Sequence, residues 1–313
     1  MCSSDHDHVS QIGRPRSGDE TARRGAYSYI TPETVRHALT LARSGTVVPL
    51  NLALDTPTVG RPNLVHHARM QNQTRPLPNG RFNVVNDDAV ELALQSHTHW
   101  DALAHWGVIE NDGSGVFYGG VGLDDTWPEF GSKTLGMGTL AGGIVTRGVL
   151  FDMVDYLEKG QSTYLRDGVN IDAAAVRAYL ADCNLELRPG DAAVFYTGFQ
   201  HRLLENEGAW VRGSANFNPV ASGVLPDTLD IWAEGRTFAL VADNPSVEPN
   251  PMGEGLLHAG ALKRLGIYLG ELFDLEALVT HCRQSGQREF AFMSVPLNLP
   301  KAFGSPANAL AIL

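Results

Sequence analysis

Short apolar runs that alternate with capped, amphipathic stretches constrain this chain more than any other feature. Residues 46–54, 143–151, 192–197, 236–242 and 289–295 are rich in Val, Ile, Leu and Phe over strand-like lengths. In the first of these runs, alternation places Leu50, Leu52 and Leu54 on one face. Between the runs lie helix signals. Thr31-Pro32-Glu33 combines a capping Thr with Pro in the first turn, and Val35, Ala38, Leu39 and Ala42 follow at helical spacing. Ser44-Gly45 then stops that segment. Residues 170–183 and 274–282 read as two further capped helices. Mixed strands and helices in this order specify an α/β domain. No linker divides residues 27–313, so they are expected to form a single domain. Residues 1–26 are polar and carry no apolar core of a leader segment, so they read as a disordered tail.

Charge and cysteine content remove several classes of function. With 24 Lys+Arg against 35 Asp+Glu the formal charge is −11, the wrong sign for nucleic acid or an anionic membrane surface. No run of 18 apolar residues occurs, so no membrane span is expected. The three cysteines form no CxxC pair, which excludes a disulfide framework or a zinc ribbon and suits a cytoplasmic protein. Eleven histidines remain to be explained.

The chemistry concentrates in residues 92–107, LALQSHTHWDALAHWG. If the segment begins as a strand, Gln95, His97, His99 and Asp101 share a face. Asp101 and His105 are four apart, neighbours on one helical turn. A strand running into a helix therefore aims His99, Asp101 and His105 into one volume. Imidazole and carboxylate are ligands suited to Zn²⁺ or Mn²⁺, and a further imidazole can move a proton. A surface histidine cluster that binds nothing fits the same spacing. Alternation points Trp100 into the core, while Trp106 either lines an aromatic pocket or covers the turn.

His201, after a strand, is a candidate to face substrate or an ordinary loop residue. His66 and His67 fall in a Pro-rich loop that is either a cover for the pocket or simply exposed. His6 and His8 belong to the polar tail, and His37 and His281 to expected helices without partners. Asp243 is either a carboxylate at the pocket rim or a turn former ahead of Asn244-Pro245. The glycine-rich run 113–122 has no phosphate-loop pattern.

Residues 98–105, Thr-His-Trp-Asp-Ala-Leu-Ala-His, resemble the second half of the signature His-x-Gly-Thr-His-x-Asp-x-x-x-His. That signature marks the metal-dependent cyclase family, which includes bacterial kynurenine formamidase and isatin hydrolase. Residues 189–198, 241–251, 267–278 and 304–313 resemble further elements of the same family, so the resemblance spans about residue 46 to the end. It implies a swivelling, barrel-like β/α/β single domain with a central metal cleft, assembled as a homodimer or homotetramer.

Carried over by position, His99 and Asp101 become metal ligands, joined by His258 and Glu271, and His105 becomes the catalytic acid/base. Two departures stand out. Gln95 occupies the place of the family's first His, and His97 that of its Gly. Gln95 is then a weak ligand, or His97 substitutes for it. His97, Trp106 and His201 are the candidates for substrate contact. The resemblance implies a divalent ion, Zn or Mn, and hydrolysis of an amide, lactam or lactone bond in a small carbonyl compound. Cyclisation or dehydration of a polyketide-like substrate, or binding without catalysis, are the alternatives.

Overall fold

Two residues of chain, Ala307 and Asn308, separate a strand at one edge of the main sheet from the strand next to its other edge, and this dictates the architecture. In the computed structural model the described residues are 22–57, 59–109, 111, 113, 116–127, 131–206, 210, 219–253 and 256–313. The strands in chain order are β1 (Val47–Pro49), β2 (Val65–Pro76), β3 (Phe82–Glu91), β4 (His99–Asp101), β5 (Thr126–Trp127) and β6 (Gly131–Ser132). They continue as β7 (Ile144–Asp152), β8 (Ala192–Tyr196), β9 (Ala239–Ala242), β10 (Tyr268–Glu271), β11 (Glu289–Ser294), β12 (Gly304–Pro306) and β13 (Ala309–Ile312). Nine of them pair in the order β1-β13-β11-β7-β8-β9-β10-β4-β12. The run β7-β8-β9-β10 is parallel and the flanking pairs are antiparallel.

Laid flat, β12 and β13 would be roughly 34 Å apart, seven spacings of about 4.8 Å. A two-residue link spans only about 10 Å. The sheet must therefore curl, and backbone contacts close the gap. Ala307 N donates to Thr98 O (3.0 Å), Leu50 N to Ala309 O (3.0 Å), and Leu52 N to the Thr98 hydroxyl (2.8 Å). The expected barrel-like α/β domain is the one observed.

The helices α1 (Pro32–Leu39), α2 (Ala173–Asp182), α3 (Phe199–Glu205), α4 (Leu229–Glu234) and α5 (Glu276–Ser285) cover this sheet. The expected Thr31 cap is present as a reciprocal pair with Thr34. A large contiguous core fills the interior, with a small second cluster at Phe199, Ala221 and Leu272. At its centre Trp100 is fully buried among Phe238, Phe273 and Phe292, and its indole N–H donates to Ser294 Oγ at 2.8 Å. The expectation that Trp100 turns away from the ligand face is met.

Two motifs flanking β8 act as pins for the parallel strands. Asp191 accepts a two-pronged bond from the buried guanidinium of Arg147 on β7 (2.9 and 2.5 Å). Beyond β8, the carboxylate of Asp243 accepts from Thr197 N (2.8 Å), Thr197 Oγ1 (2.7 Å) and Phe199 N (3.0 Å). Burial nonetheless pushes the Asp243 carboxyl up to about 6. It is a fold pin rather than a group on the cavity wall.

Three expectations are corrected. The leucine face of residues 46–54 ends at Leu50. The Asn51 side chain there exchanges hydrogen bonds with Ala309 (2.6 and 2.7 Å), and Leu54 is exposed. The Pro-rich loop around His66 and His67 is instead part of the β2-β3 ribbon, where those rings meet Asp88 (2.8 Å) and Glu91 (3.1 Å) on an exposed surface. Residues 22–26 of the expected tail lie in a 3-10 segment (Ala22–Tyr29), with Ala26 buried and its N–H donating to Gly266 O. The tail up to residue 21 lies outside the described residues. Among those described, no helix is long and apolar enough to cross a membrane.

Candidate metal centre

Strand register brings the first donors together. Glu271 ends β10 directly opposite His99, which begins β4, and Leu269 faces Asp101. Cross-strand partners share a face, so His99, Asp101 and Glu271 project to one side at the mouth of the curled sheet. His258 enters from the segment just ahead of a helical stretch (Ala259–Leu265) and His105 from a turn.

The resulting contacts are close, yet three of the four carboxylate oxygens gain no hydrogen bond from them. His99 Nε2 lies 3.6 Å from Asp101 Oδ1 and 3.3 Å from Glu271 Oε2. His258 Nε2 lies 3.2 Å from Glu271 Oε1 and 3.8 Å from Asp101 Oδ2, and His105 Nε2 is 3.8 Å from Asp101 Oδ1. Both carboxylates are buried, and Asp101 Oδ1, Asp101 Oδ2 and Glu271 Oε1 have no hydrogen-bond partner. Each buried, unsatisfied acceptor costs roughly 1–3 kcal/mol, more when charged, against a total stability of about 5–15 kcal/mol. Three in one place suit a cation.

The separations suit that cation. Neighbouring ligands of a tetrahedral ion with bonds of about 2.0–2.2 Å sit roughly 3.3–3.6 Å apart. Two donor groups fall within mutual reach: His99, Asp101 and Glu271 on one side, and Asp101, His105 and His258 on the other. Asp101 and Glu271 each turn one oxygen to His99 and the other to His258, so the two carboxylates bridge the two sides.

Protonation follows the same geometry. Burial acts to lower the pKa of His99, but Asp101 and Glu271 outweigh it and push the ring up to about 10. His258 behaves alike, its burial outweighed by Glu248, Glu271 and Asp101, and also reaches about 10. Burial acts to raise Asp101, yet His105, His99 and His258 together hold it down to about 2. A metal ion at this place must displace the imidazole protons.

The backing of each ring fixes its tautomer. His99 Nδ1–H donates to His97 O (2.7 Å), leaving Nε2 for the cleft. His258 Nδ1–H donates to the buried carboxylate of Glu248. The indole of Trp106 packs on the His258 ring with centroids 5.1 Å apart, so it shapes the position of His258.

Other expected contacts fall elsewhere. Residues 95–98 form a turn ahead of the three-residue β4, so the strand alternation that grouped Gln95 and His97 with His99 does not apply. His97 is buried, with its Nε2–H donating to Thr56 O (2.9 Å) and its Nδ1 accepting from Ser96 Oγ (2.8 Å). Both nitrogens are thus engaged, Nε2 with the 53–56 turn and Nδ1 with Ser96. Gln95 lines the cavity beside His99 and His105 and packs against Gly304. No helix follows Asp101. A turn does, with His105 N bonded to Ala102 O (2.8 Å), while Ala102 and Ala104 donate outward to Phe303 and Leu135. His201 lies 3.1 Å from Glu276 in a separate cavity with Tyr196 and Arg283, away from the clustered donors. Glu248 was absent from the sequence reading.

A cavity of about 170 Å³ opens onto the donors, walled by Val59, Trp210, Pro245, Met252 and Leu272, with Arg61 at its edge. It admits a small molecule.

The sequence profile of the family described as "Putative cyclase" matches residues 21–249. Among solved structures, a protein described as a novel cyclase is 29% identical, with a TM-score of 0.82 and 99% of each chain covered. An isatin hydrolase bound to the product analogue thioisatinate is 15% identical (TM-score 0.59), covering 91% of this chain and 99% of its own. Isatin hydrolase A from Labrenzia aggregata, bound to benzyl benzoate, is 13% identical (TM-score 0.61), with 88% and 97% covered. No curated protein matches the sequence. The profile match, which spans well over half of the sequence and takes in His99, Asp101 and His105, places this chain in the cyclase family.

Proposed function

We propose that the protein is a metal-dependent hydrolase that opens an amide, lactam or lactone bond in a small cyclic or aromatic carbonyl compound. The observation that carries this reading is the set of three buried carboxylate oxygens without hydrogen bonds, facing three imidazoles. His99, Asp101, His258 and Glu271 would hold a divalent ion, Zn²⁺ or Mn²⁺, whose nitrogen and oxygen donors suit either metal. Such an ion supplies Lewis acidity, polarising a carbonyl and acidifying water.

The remaining work falls to the chain. The apolar walls at Val59, Met252 and Leu272 exclude bulk water from a ring seated against them. His105 Nε2, the most exposed of the clustered imidazoles, accepts a proton from the attacking water and returns it to the leaving nitrogen or oxygen. Gln95 stands beside it on the wall as a neutral hydrogen-bonding group.

The test is metal analysis of purified protein joined to a panel of N-formyl anilines, cyclic imides, isatin-like lactams and unsaturated lactones. Near-stoichiometric Zn or Mn and turnover of at least one class are expected. Metal uptake should strengthen as pH rises from about 6.5 toward 10, because His99 and His258 must lose protons to bind. Absence of metal after reconstitution sinks the reading. A product with a newly closed ring points instead to a cyclase, and binding without turnover to a ligand-binding homologue.

We also propose self-association into a homodimer or homotetramer. The β2-β3 ribbon supports it, because a two-stranded ribbon is marginal alone in water and this one exposes Val65, Phe82, Val84 and Val90. A monomer in sedimentation equilibrium would exclude it. A cytoplasmic setting is supported by the free thiols of Cys183 and Cys282, and recovery in another cell fraction would count against it.

A further inference from the structure

Glu248 is a buried carboxylate that no motif singled out, and it has three partners. Its Oε2 accepts from Leu257 N (2.8 Å), while its Oε1 accepts from His258 N (3.1 Å) and from His258 Nδ1. The residue is 1% exposed. A stray acid would not survive there, since an ionised side chain in the interior needs partners on both oxygens.

The loop that carries it is built to deliver it. The Asn244 side-chain amide donates to Ser222 O (2.8 Å), Glu248 O (3.2 Å) and Val247 O (3.3 Å), and Ser246 Oγ donates to Glu248 O (2.8 Å). Val247 takes the left-handed region (φ 56°), and Gly223 lies so close that an added Cβ would come within 2.4 Å of the Glu248 carbonyl carbon. Any side chain at 223 would push the loop outward.

The two imidazoles that face the bridging carboxylates therefore differ. His99 is backed by a neutral peptide carbonyl, His258 by a carboxylate. A carboxylate behind the ring fixes the tautomer, aims Nε2 and raises its strength as a donor. We propose that Glu248 is a positioning residue that makes the His258 side the tighter of the two cation positions. This rests on the metal reading of the cleft. The cleft then holds one ion firmly even though Gln95, on the cavity wall, supplies no imidazole.

The test is a Zn²⁺ titration of metal-free protein against a chromophoric chelator, comparing wild type with Glu248→Gln. The tight dissociation constant should weaken roughly 10–100-fold in the variant. A weaker second constant, where resolved, should stay within about twofold. In the zinc-loaded protein the hydrogen-bonded Nδ1 proton of His258 should shift upfield in the NMR spectrum, a change that loss of a backbone cap alone would not produce. The melting temperature of the metal-free variant reports separately on the cap to Leu257 and His258. Unchanged affinity overturns the proposal while leaving the metal reading intact, as does an equal loss at both positions. A wild type that takes up no zinc overturns both.

Discussion

Asp101→Asn is expected to weaken divalent-metal binding on the order of 10³-fold and to abolish the thermal stabilisation that added Zn²⁺ or Mn²⁺ gives the wild type. Asp101 is the one residue common to both donor groups, and each of its oxygens faces a different imidazole. Replacing it removes a buried charge from both sides at once. Breaking such a buried charge pairing costs about 3–5 kcal/mol, which corresponds to two to four orders of magnitude in affinity. Asn keeps the volume and shape of the side chain, so the fold itself should persist and circular dichroism should be unchanged. The decisive measurement is the melting temperature with and without metal, because a ligand that binds only the folded state raises it by mass action. A variant whose melting temperature still climbs with added zinc as the wild type's does would show that the ion, if bound, sits elsewhere. Loss of secondary structure would instead mark Asp101 as a fold residue.

Most of the sheet was legible because its central strands are apolar on both faces. Residues 143–151 and 289–295 emerged within one residue of β7 and β11, and 192–197 of β8. The helices at 170–183 and 274–282 emerged as α2 and α5, shifted by up to three residues at their ends. The β2-β3 ribbon was illegible for the opposite reason. Neither face is buried, so no alternation of polarity is imposed on it, and Pro57 and Pro62 read as loop punctuation.

In the site, the His99-x-Asp101 pair was readable because β4, though only three residues long, obeys strand alternation. His97 misled because the turn before β4 has no such period, while Gln95 reaches the cavity wall from that same turn. His105 reaches Asp101 across a turn rather than along a helix, and the i, i+4 spacing happens to serve both geometries. The pairing of His258 with Glu271 rested on the resemblance, and in the structure the two close on one another at 3.2 Å. Glu248 had no local signal: ten residues of chain separate it from the ring it supports, and only the folded loop brings them together.

His105→Ala should leave metal affinity within a few-fold of wild type while lowering kcat by roughly 10²–10⁴ on whichever substrate class is turned over. The side chain is 21% exposed where those of His99, Asp101 and His258 are 3% or less, so it meets the cavity contents directly. Among the described residues it has a single carboxylate neighbour, Asp101, at 3.8 Å, whereas His99 faces two and His258 three. A metal ligand gains from several anionic neighbours that share the ion. A proton carrier needs one carboxylate to steady its charged form and an open side toward the reacting bond.

The geometry of His105 is that of the carrier. Truncation at a partly exposed turn costs little stability, so lost activity would not reflect unfolding. Two readings oppose this. Since His105 also lies within ligand reach of Asp101 and His258, a fall in metal affinity comparable to that of Asp101→Asn would make it a ligand instead. Retained kcat would remove it from the chemistry altogether. The pH-rate profile separates proton transfer from mere lining of the cavity, because loss of an acid/base group deletes one limb of the profile while loss of a contact only rescales it. A profile that keeps its shape and drops in height would assign His105 to substrate binding.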